Sequence, residues 1–193
     1  MLFRRMNLHQ EKELVQKAKQ DPAVFSGLYD AHYSKIFNYV LRRVADLELS
    51  QDITSEVFLK AFSKLWLFRW RKISFSCWLY KIALHEISNH FRKNKRPTIS
   101  LDDLLENKNF EPTNFETPKS ELIEAQNILE KHEDFLKIQK MLLKLPLKYQ
   151  EVLSLKFFEH KTTKEIGEIL GKKEGTVKSL LSRGIDQLRA LVT

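Results

Sequence analysis

Basic and polar residues cluster around a short turn near the C-terminal end of the sequence. Between Thr163 and Ser179, apolar residues recur at helical spacing on both sides of Gly171, as in two helices joined by a tight turn. Ile166 and Val177 would hold the two helices together. The second helix would then present donors suited to phosphates and base edges, namely Lys173, Thr176, Lys178, Ser179, Ser182 and Arg183. The pattern predicts a DNA-reading helix-turn-helix, and the alternative is a helical hairpin whose lysines are merely solvated.

A second candidate for nucleic-acid chemistry lies in the first half of the chain, where aromatic and cationic residues alternate. Aromatic rings can stack on unpaired bases while neighbouring cations hold the backbone of the strand. The residues concerned are Phe68, Arg69, Trp70, Arg71, Lys72 and Phe75. Aromatic residues at helical spacing are more often core, and we assign the nearby Trp78 and Leu79 to the core. Trp70 stands among charges, so core and surface are equally open for it, and an exposed Trp70 would favour strand opening.

Catalytic and metal-binding motifs are not found in the sequence. His85 and His90 resemble a zinc-protease helix, but that motif needs its two histidines four residues apart, and Asn89 stands at the needed position. The stretch from Gly167 to Lys173 echoes a phosphate-binding loop, but its spacing is too short for one. We therefore expect a protein that is not an enzyme and has no metal or organic cofactor.

Composition indicates which elements carry these residues. The chain has 193 residues, 42% of them hydrophobic, and only 5 Gly and 5 Pro, a balance that favours helices over turn-rich sheets. We therefore expect an all-α protein of two small helical domains. The formal charge of +8 suits a polyanionic partner, because cationic side chains release counterions from phosphates, but it fits solubility alone equally well.

The helices of the first half can be placed from their apolar spacing. Asp21, followed by a proline, indicates the start of a long amphipathic helix, and Ser50 is predicted to cap the next one. On the polar face of that second helix, Glu56 and Lys60 can form a charge pair worth only about 0.3 kcal/mol. The following helix, Trp78 to Phe91, has apolar residues on two faces and is expected to lie between neighbours. It ends in a basic run that contains Arg92, Lys93, Lys95 and Arg96.

A change in composition marks the boundary between the two domains. Apolar periodicity is lost near Thr98 and resumes near Ile128, and the residues between them are acidic, with Pro and Asn. We predict a first domain at residues 1–97, an acidic flexible linker at 98–127, and a second domain with the helix-turn-helix at 128–193. The linker's composition favours a solvated tether, and the alternative is a segment that occupies a channel built for nucleic acid.

The N-terminus and the hydropathy of the chain bear on its location. The first residues run into a charged segment without the apolar core of a signal peptide. No later run approaches the roughly 18 apolar residues that a membrane span requires. We expect a cytoplasmic protein without membrane insertion.

Several stretches in the two halves also follow a pattern known from one family. In the first half they are Phe25–Tyr33, Asp52–Ala61 and Trp78–Ala83, the last leading to the basic run. In the second half they are Leu145–Leu153 and the helix-turn-helix with Gly175–Ser179. In this order and spacing, they resemble the extracytoplasmic-function (ECF) group of sigma factors in the sigma-70 family, small two-domain subunits that direct RNA polymerase to promoters. The resemblance covers almost the whole chain.

The resemblance implies a function and partners. The protein would bind core RNA polymerase and promoter DNA, melt the duplex and initiate transcription, and an anti-sigma factor would hold it inactive. Asp52, Ser55 and Glu56 would contact the clamp helices of the polymerase. The segment from Phe68 to Phe75, together with His85, would capture a base of the minus-ten element. The second domain would read the minus-thirty-five element.

Departures from the family pattern leave two other functions open. Ser55 stands where the family more often has Gln, His85 where Asn is usual, and Leu180–Ile185 replaces a commonly basic stretch. The rivals are a helix-turn-helix regulator that is not a sigma subunit, and a polymerase-binding interaction protein without promoter-specific initiation. Gly184 in the last helix costs roughly 1 kcal/mol relative to Ala, so we expect the final turns to order fully only on DNA or polymerase.

Overall fold

The computed structural model describes residues 7–44, 46–70, 74–93, 137 and 140–192. All regular secondary structure in these ranges is helical, which confirms the predicted fold class. The predicted acidic linker lies outside the described residues, as do Arg71, Lys72, Lys95 and Arg96. The described helices form two groups, one before and one after the linker in the sequence, and the two groups contact each other.

The N-terminal group packs its helices around an apolar core. It contains α1 (Leu8–Gln20), α2 (Phe25–Val44), α3 (Leu47–Ser63) and α4 (Phe75–Lys93). Helices α2, α3 and α4 pack on one another, and α1 packs on α2 and contacts α4. The core includes Val15, Leu28, Ile36, Tyr39, Val57, Leu79 and Ile87. Burial of each such side chain contributes about 1.5 to 3 kcal/mol, so the core fixes the position of α4 between its neighbours.

Short polar side chains determine where the first helices begin. The Asp21 side chain accepts a hydrogen bond from the Ala23 N–H at 3.0 Å, which confirms the predicted start before the proline, although the first turn there is 3₁₀. The prediction that Ser50 caps the next helix is wrong. That cap is Asp46, which accepts from the Leu49 N–H at 2.9 Å. Ser50 is buried inside α3, where its hydroxyl donates back to the Asp46 carbonyl.

The C-terminal group carries the predicted helix-turn-helix. Helix α5 (Leu147–Leu153) continues into a π-helical turn, and α6 (Thr163–Leu170) and α7 (Glu174–Val192) follow. The sequence offers Thr162 or Thr163 as the cap of α6, and the structure has Thr162, which forms a capping box with Glu165. Ile166 and Val177 are fully buried between the two helices. The turn ends α6 at Gly171, whose φ of 64° lies in the left-handed region that favours glycine.

Gly167, in the last turn of α6, is held by a close backbone approach. A Cβ atom at this position would lie 2.7 Å from the carbonyl oxygen of Lys172. The Gly167 carbonyl also accepts the Lys172 N–H at 2.8 Å, so the chain folds back tightly over this residue. The turn therefore depends on the absence of a side chain at Gly167.

Gly167→Ala is expected to destabilise the C-terminal group by about 2 kcal/mol, although alanine is the better helix former. The methyl group would collide with a backbone carbonyl, which cannot rotate away as a side chain can. Gly175→Ala is the matched control, because a Cβ at Gly175 meets nothing within 4 Å. Thermal unfolding of both variants tests this, and equal or higher stability of Gly167→Ala would refute the packing argument.

Gly184 has a packing role that its sequence position does not reveal. A Cβ at Gly184 would lie 3.1 Å from Leu153 Cδ1 and 3.4 Å from Tyr149 Cβ, so the glycine lets α7 approach α5 closely. Helix α7 runs without a break through this residue to Val192. The structure thus differs from the expectation that the last turns order only on DNA or polymerase, because packing on α5 offsets the low helix propensity of glycine.

Candidate nucleic-acid and polymerase interfaces

The predicted DNA-reading surface lies on α7 and the turn before it. Each of its proposed contact residues is exposed: Lys173, Thr176, Lys178, Ser179, Ser182 and Arg183. Lys178 Nζ lies 3.4 Å from a carboxylate oxygen of Glu174, which also accepts a hydrogen bond from the Thr163 hydroxyl at 2.9 Å. The hydrogen bonds from Thr163 and Lys178 lower the pKa of Glu174. The surface therefore presents cations and hydroxyls at a helix N-terminus, an arrangement suited to phosphate oxygens and base edges.

The aromatic part of the predicted single-strand site is largely internal. Phe68 is 6% exposed and Phe75 is fully buried, and their rings meet edge to face at 5.5 Å. Trp78 packs on both rings and is half-buried, while Leu79 is buried as predicted. The expectation that Phe68 and Phe75 stack on bases therefore needs correction, because no base can reach a ring enclosed by the core.

Two residues between these buried rings are accessible to a nucleic-acid strand. Arg69 is exposed, and Trp70 is half-buried with its ring edge-on to Phe68 at 6.0 Å. The sequence left core and surface equally open for Trp70, and the structure gives it part of both environments. The indole can thus keep its position on Phe68 while one side meets a base.

The exposed side of α4 carries a row of polar side chains. Lys81, His85, Ser88 and Arg92 are all exposed and follow one another at helical spacing. His85 was predicted to contact DNA, and Arg92 belongs to the predicted basic run, where its guanidinium donates to Asn89 at 3.2 Å. The side chain of Lys93 lies outside the described residues. The sequence interpretation did not include Lys81, although its position one helical turn before His85 indicates the same face.

The predicted polymerase-binding residues share one side of α3. Asp52 and Ser55 are exposed, and Glu56 is half-buried. Lys60 Nζ lies 2.9 Å from a Glu56 carboxylate oxygen and also donates to Glu86 of α4. Its hydrogen bonds to Glu86 and Glu56 raise the pKa of Lys60. The charge pair considered from the sequence is thus present, and Asp52 and Ser55 are the more accessible members of the set.

Large apolar side chains continue the exposed side of α3 beyond these polar residues. Leu59 is 61% exposed, Phe62 is 45% exposed, and Trp66, in the 3₁₀ turn after α3, is 73% exposed. Asp52, Ser55, Leu59 and Phe62 recur at i, i+3, i+7 and i+10, which puts them on one face. The sequence interpretation did not identify Leu59, Phe62 or Trp66 as part of a surface. Large apolar residues that continue the polar side of this helix were the available signal.

A charged joint connects the two helical groups. Glu159, after the π-helical turn, has a carboxylate oxygen 2.6 Å from Arg42 Nη1, and its other oxygen accepts from the Tyr80 hydroxyl. Lys161 Nζ donates to the Ser76 hydroxyl at 2.9 Å. Burial and the nearby Glu159 carboxylate raise the pKa of Tyr80, so its hydroxyl remains a donor. These contacts bring the second group onto α2 and the first turns of α4.

A groove beside this joint runs between α4 and α6. Trp78 and Lys81 of α4 and Glu168 of α6 line one part of it, and Lys60, Lys64 and His85 line an adjoining part with Leu170. Part of the exposed row on α4 thus faces the second helical group. Among the described residues, no cluster of His, Cys, Asp or Glu side chains has the geometry of a metal site. No described helix has the length and hydropathy of a membrane span.

Both helical groups correspond to known regions of one family. Residues 28–97 match Sigma-70 region 2, and residues 135–188 match Sigma-70, region 4. The first match contains α4 with its exposed row, and the second contains the helix-turn-helix. The chain belongs to the sigma-70 family of RNA polymerase sigma factors.

Similar proteins narrow this assignment to the ECF group. The ECF RNA polymerase sigma factor SigW of Bacillus subtilis (strain 168) is 32% identical over 191 residues, which cover 95% of this chain and 97% of SigW. Among solved structures, CnrH in complex with the cytosolic domain of CnrY matches with a TM-score of 0.69 at 17% identity, over 94% of this chain and 96% of CnrH. RpoE of Bartonella quintana, bound to the anti-sigma factor NepR, matches with a TM-score of 0.64 at 19% identity, over 87% of this chain and 96% of RpoE. Because both sequence identities are low, these two matches show only that CnrH and RpoE share the fold of this chain.

Proposed function

We propose that this ECF sigma factor binds core RNA polymerase and directs it to promoters, where it reads two elements and helps melt the duplex. One observation carries the proposal. The polar side chains at the start and outer face of α7 are exposed, while Ile166, Val177 and Leu181 between α6 and α7 are buried, as a helix-turn-helix that enters a major groove requires. In this proposal the second helical group reads the minus-thirty-five element.

The first helical group would supply the remaining contacts. The exposed row on α4, with Lys81, His85 and Arg92, would follow the minus-ten element, and Arg69 and Trp70 would meet a base of the opened strand. Asp52 and Ser55, with the apolar side chains that follow them on α3, would bind the polymerase. The three surfaces lie on separate helices or segments of one molecule.

Regulation and location follow from the same assignment. The protein would act in the cytoplasm, where its polymerase works, and catalysis would belong to the polymerase and not to this chain. An anti-sigma factor would hold the protein inactive until a signal arrives. RpoE, which shares the fold, was solved in complex with an anti-sigma factor, and this supports such a partner here.

Transcription in vitro tests the proposal directly. Purified core polymerase, with and without this protein, would transcribe fragmented genomic DNA from its source, and the transcript starts would be mapped. Discrete starts that depend on this protein and share two spaced upstream motifs are expected. Tight polymerase binding without such starts would favour the interaction-protein rival, and DNA binding without polymerase binding would favour the regulator.

Lys178→Ala combined with Ser179→Ala is expected to weaken binding to the upstream element about tenfold or more, because one phosphate or base contact is worth roughly 1 to 3 kcal/mol. Both side chains are exposed, so the fold should not change. A salt titration of binding to a duplex with the mapped upstream motif measures the effect. Lys140→Ala, outside the helix-turn-helix, is the control, and equal affinities would exclude the two α7 residues as contacts.

A further inference from the structure

A buried carboxylate on α1 caps the first turn of α4. Glu11 is 5% exposed, and its carboxylate oxygens accept hydrogen bonds from the backbone N–H groups of Phe75 at 3.1 Å and Ser76 at 3.2 Å. His32 Nε2 lies 3.2 Å from the same carboxylate. The first N–H groups of a helix have no partner within the helix, and the helix dipole favours negative charge at that end. Glu11 therefore fixes the start of α4 from a distant position in the sequence.

Helix α1 also contacts the chain at Phe68, just before Arg69 and Trp70. Lys19, about two turns after Glu11, donates from its Nζ to the backbone carbonyl of Phe68. The capping box of Asn7 and Gln10 defines the first turn of α1, immediately before Glu11. One helix thus holds the chain at the point where it leaves the 3₁₀ turn after α3 and at the point where it enters α4.

These polar contacts are additional to the packing of the core. Val15 and Ala18 already bury α1 against its neighbours, and the Phe68 and Phe75 rings already pack on each other. Burial of a carboxylate costs free energy unless hydrogen bonds compensate the lost hydration. Apolar residues of similar size could fill the same space without that cost. The contacts of Glu11 and Lys19 fix the backbone at Phe68 and at the start of α4, because hydrogen bonds are directional and apolar packing is not.

We propose that Glu11 and Lys19 are positioning residues for promoter melting. They hold the backbone at Phe68 and at the first turn of α4, on either side of Arg69 and Trp70 in the sequence, so the unpaired strand meets these two side chains in a fixed place. Ordering a free segment at the moment of binding would cost conformational entropy, and a segment that is already held avoids that cost. The inference rests on the function proposed above, because it assigns Arg69 and Trp70 to the opened strand.

The test uses the full chain assembled with core polymerase. Glu11→Gln keeps the shape of the side chain but replaces one accepting oxygen by an amide donor, and Lys19→Met keeps the stem but removes the donor. The probe is the single non-template strand across the minus-ten motif of a promoter mapped as described above, and anisotropy gives its affinity. Each variant is expected to bind this strand about tenfold more weakly, with unchanged binding to a duplex that carries only the upstream motif.

Two controls separate positioning from general stability. Val15→Ala removes core packing from the same helix and leaves both anchors in place, so it should lower the melting temperature without lowering strand affinity. Lys19→Arg keeps a donor and should restore affinity. In the free protein, trypsin should cleave after Arg69 faster in Glu11→Gln and Lys19→Met than in the wild type.

The outcomes distinguish this inference from the proposed function. Wild-type strand affinity and wild-type trypsin resistance in Glu11→Gln and Lys19→Met would overturn the inference alone. An equal loss of strand affinity in Val15→Ala would also overturn it, because the effect would then follow stability. If the wild-type holoenzyme neither initiates transcription nor binds the strand, both the proposed function and this inference are refuted.

Discussion

Replacing Leu59 and Trp66 together with alanine is expected to weaken the binding of core RNA polymerase by about two to three orders of magnitude, or roughly 3 to 4 kcal/mol. Both side chains are mostly exposed, at 61% and 73%. Large apolar side chains that become buried at an interface usually carry most of its binding energy, whereas exposed charges beside them contribute little. A titration of labelled protein with core polymerase measures the change in affinity.

The control for this prediction is Leu8→Ala on α1. Leu8 is 55% exposed, so its removal deletes an apolar surface similar to that of Leu59, away from α3. All three substitutions are at the surface and should leave the free energy of unfolding within about 0.5 kcal/mol of the wild type. If the double variant binds polymerase as tightly as Leu8→Ala does, the exposed side of α3 is not the docking surface, and Asp52 and Ser55 lose their proposed role with it.

Features that depend on neighbouring residues could be predicted from the sequence. The bounds of α6 and the start of α7 follow from a capping threonine, a left-handed glycine and apolar residues at helical spacing, and each of these signals lies within a few residues of its effect. The exposure of Lys178 and Arg183 follows in the same way, because a helix whose one face packs must present the other. The two helices and the turn of the helix-turn-helix could therefore be predicted from the sequence.

Features that depend on distant parts of the chain could not be predicted in this way. Phe68 and Phe75 have the composition of a stacking site, but their rings pack on each other and on Trp78, and His32 of α2 lies against Phe75. Gly184 is unfavourable for a helix by propensity, and only the position of Leu153 explains it. The role of Glu11 could not be predicted, because its partners are backbone N–H groups of α4. A sequence does not show which helix end a carboxylate will contact.

The joint between the two helical groups also depends on residues that lie far apart in the sequence, and it affects promoter binding. Arg42 and Tyr80 come from the first group, and Glu159 comes from the second. The groove beside them turns Lys81 and His85, which belong to the proposed minus-ten surface, towards α6. A sigma factor that reads two separate promoter elements must place its two domains apart, so these contacts have to break before both elements can be bound.

Glu159→Ala is therefore expected to shift the protein towards a form in which the two groups are apart. The Glu159 carboxylate is 6% exposed and makes two contacts of the joint, one with Arg42 and one with Tyr80. A hydrogen bond to a charged group contributes about 1.5 to 3 kcal/mol, and Arg42 is partly hydrated. We therefore expect the equilibrium between the joined and separated forms to shift by about 2 kcal/mol, or roughly thirtyfold, towards the separated form. Small-angle X-ray scattering of the free protein should show a larger radius of gyration than in the wild type.

Asp186→Asn provides the control for charge, since within the described part of the chain Asp186 pairs with exposed Arg189 on its own helix, at 3.8 Å. Lys161→Met removes other contacts of the joint, the hydrogen bond from Nζ to the Ser76 hydroxyl and the approach of the ammonium to the Tyr80 ring at 4.8 Å. It should increase the radius of gyration in the same direction but less, because both of these partners are neutral. An opened joint should also raise the rate at which the holoenzyme binds promoter DNA, since closed molecules must first open. An unchanged radius of gyration in Glu159→Ala would mean that apolar contacts between α4 and α6 hold the groups together without the ion pair, and the closed arrangement would then be a matter of packing and not of charge.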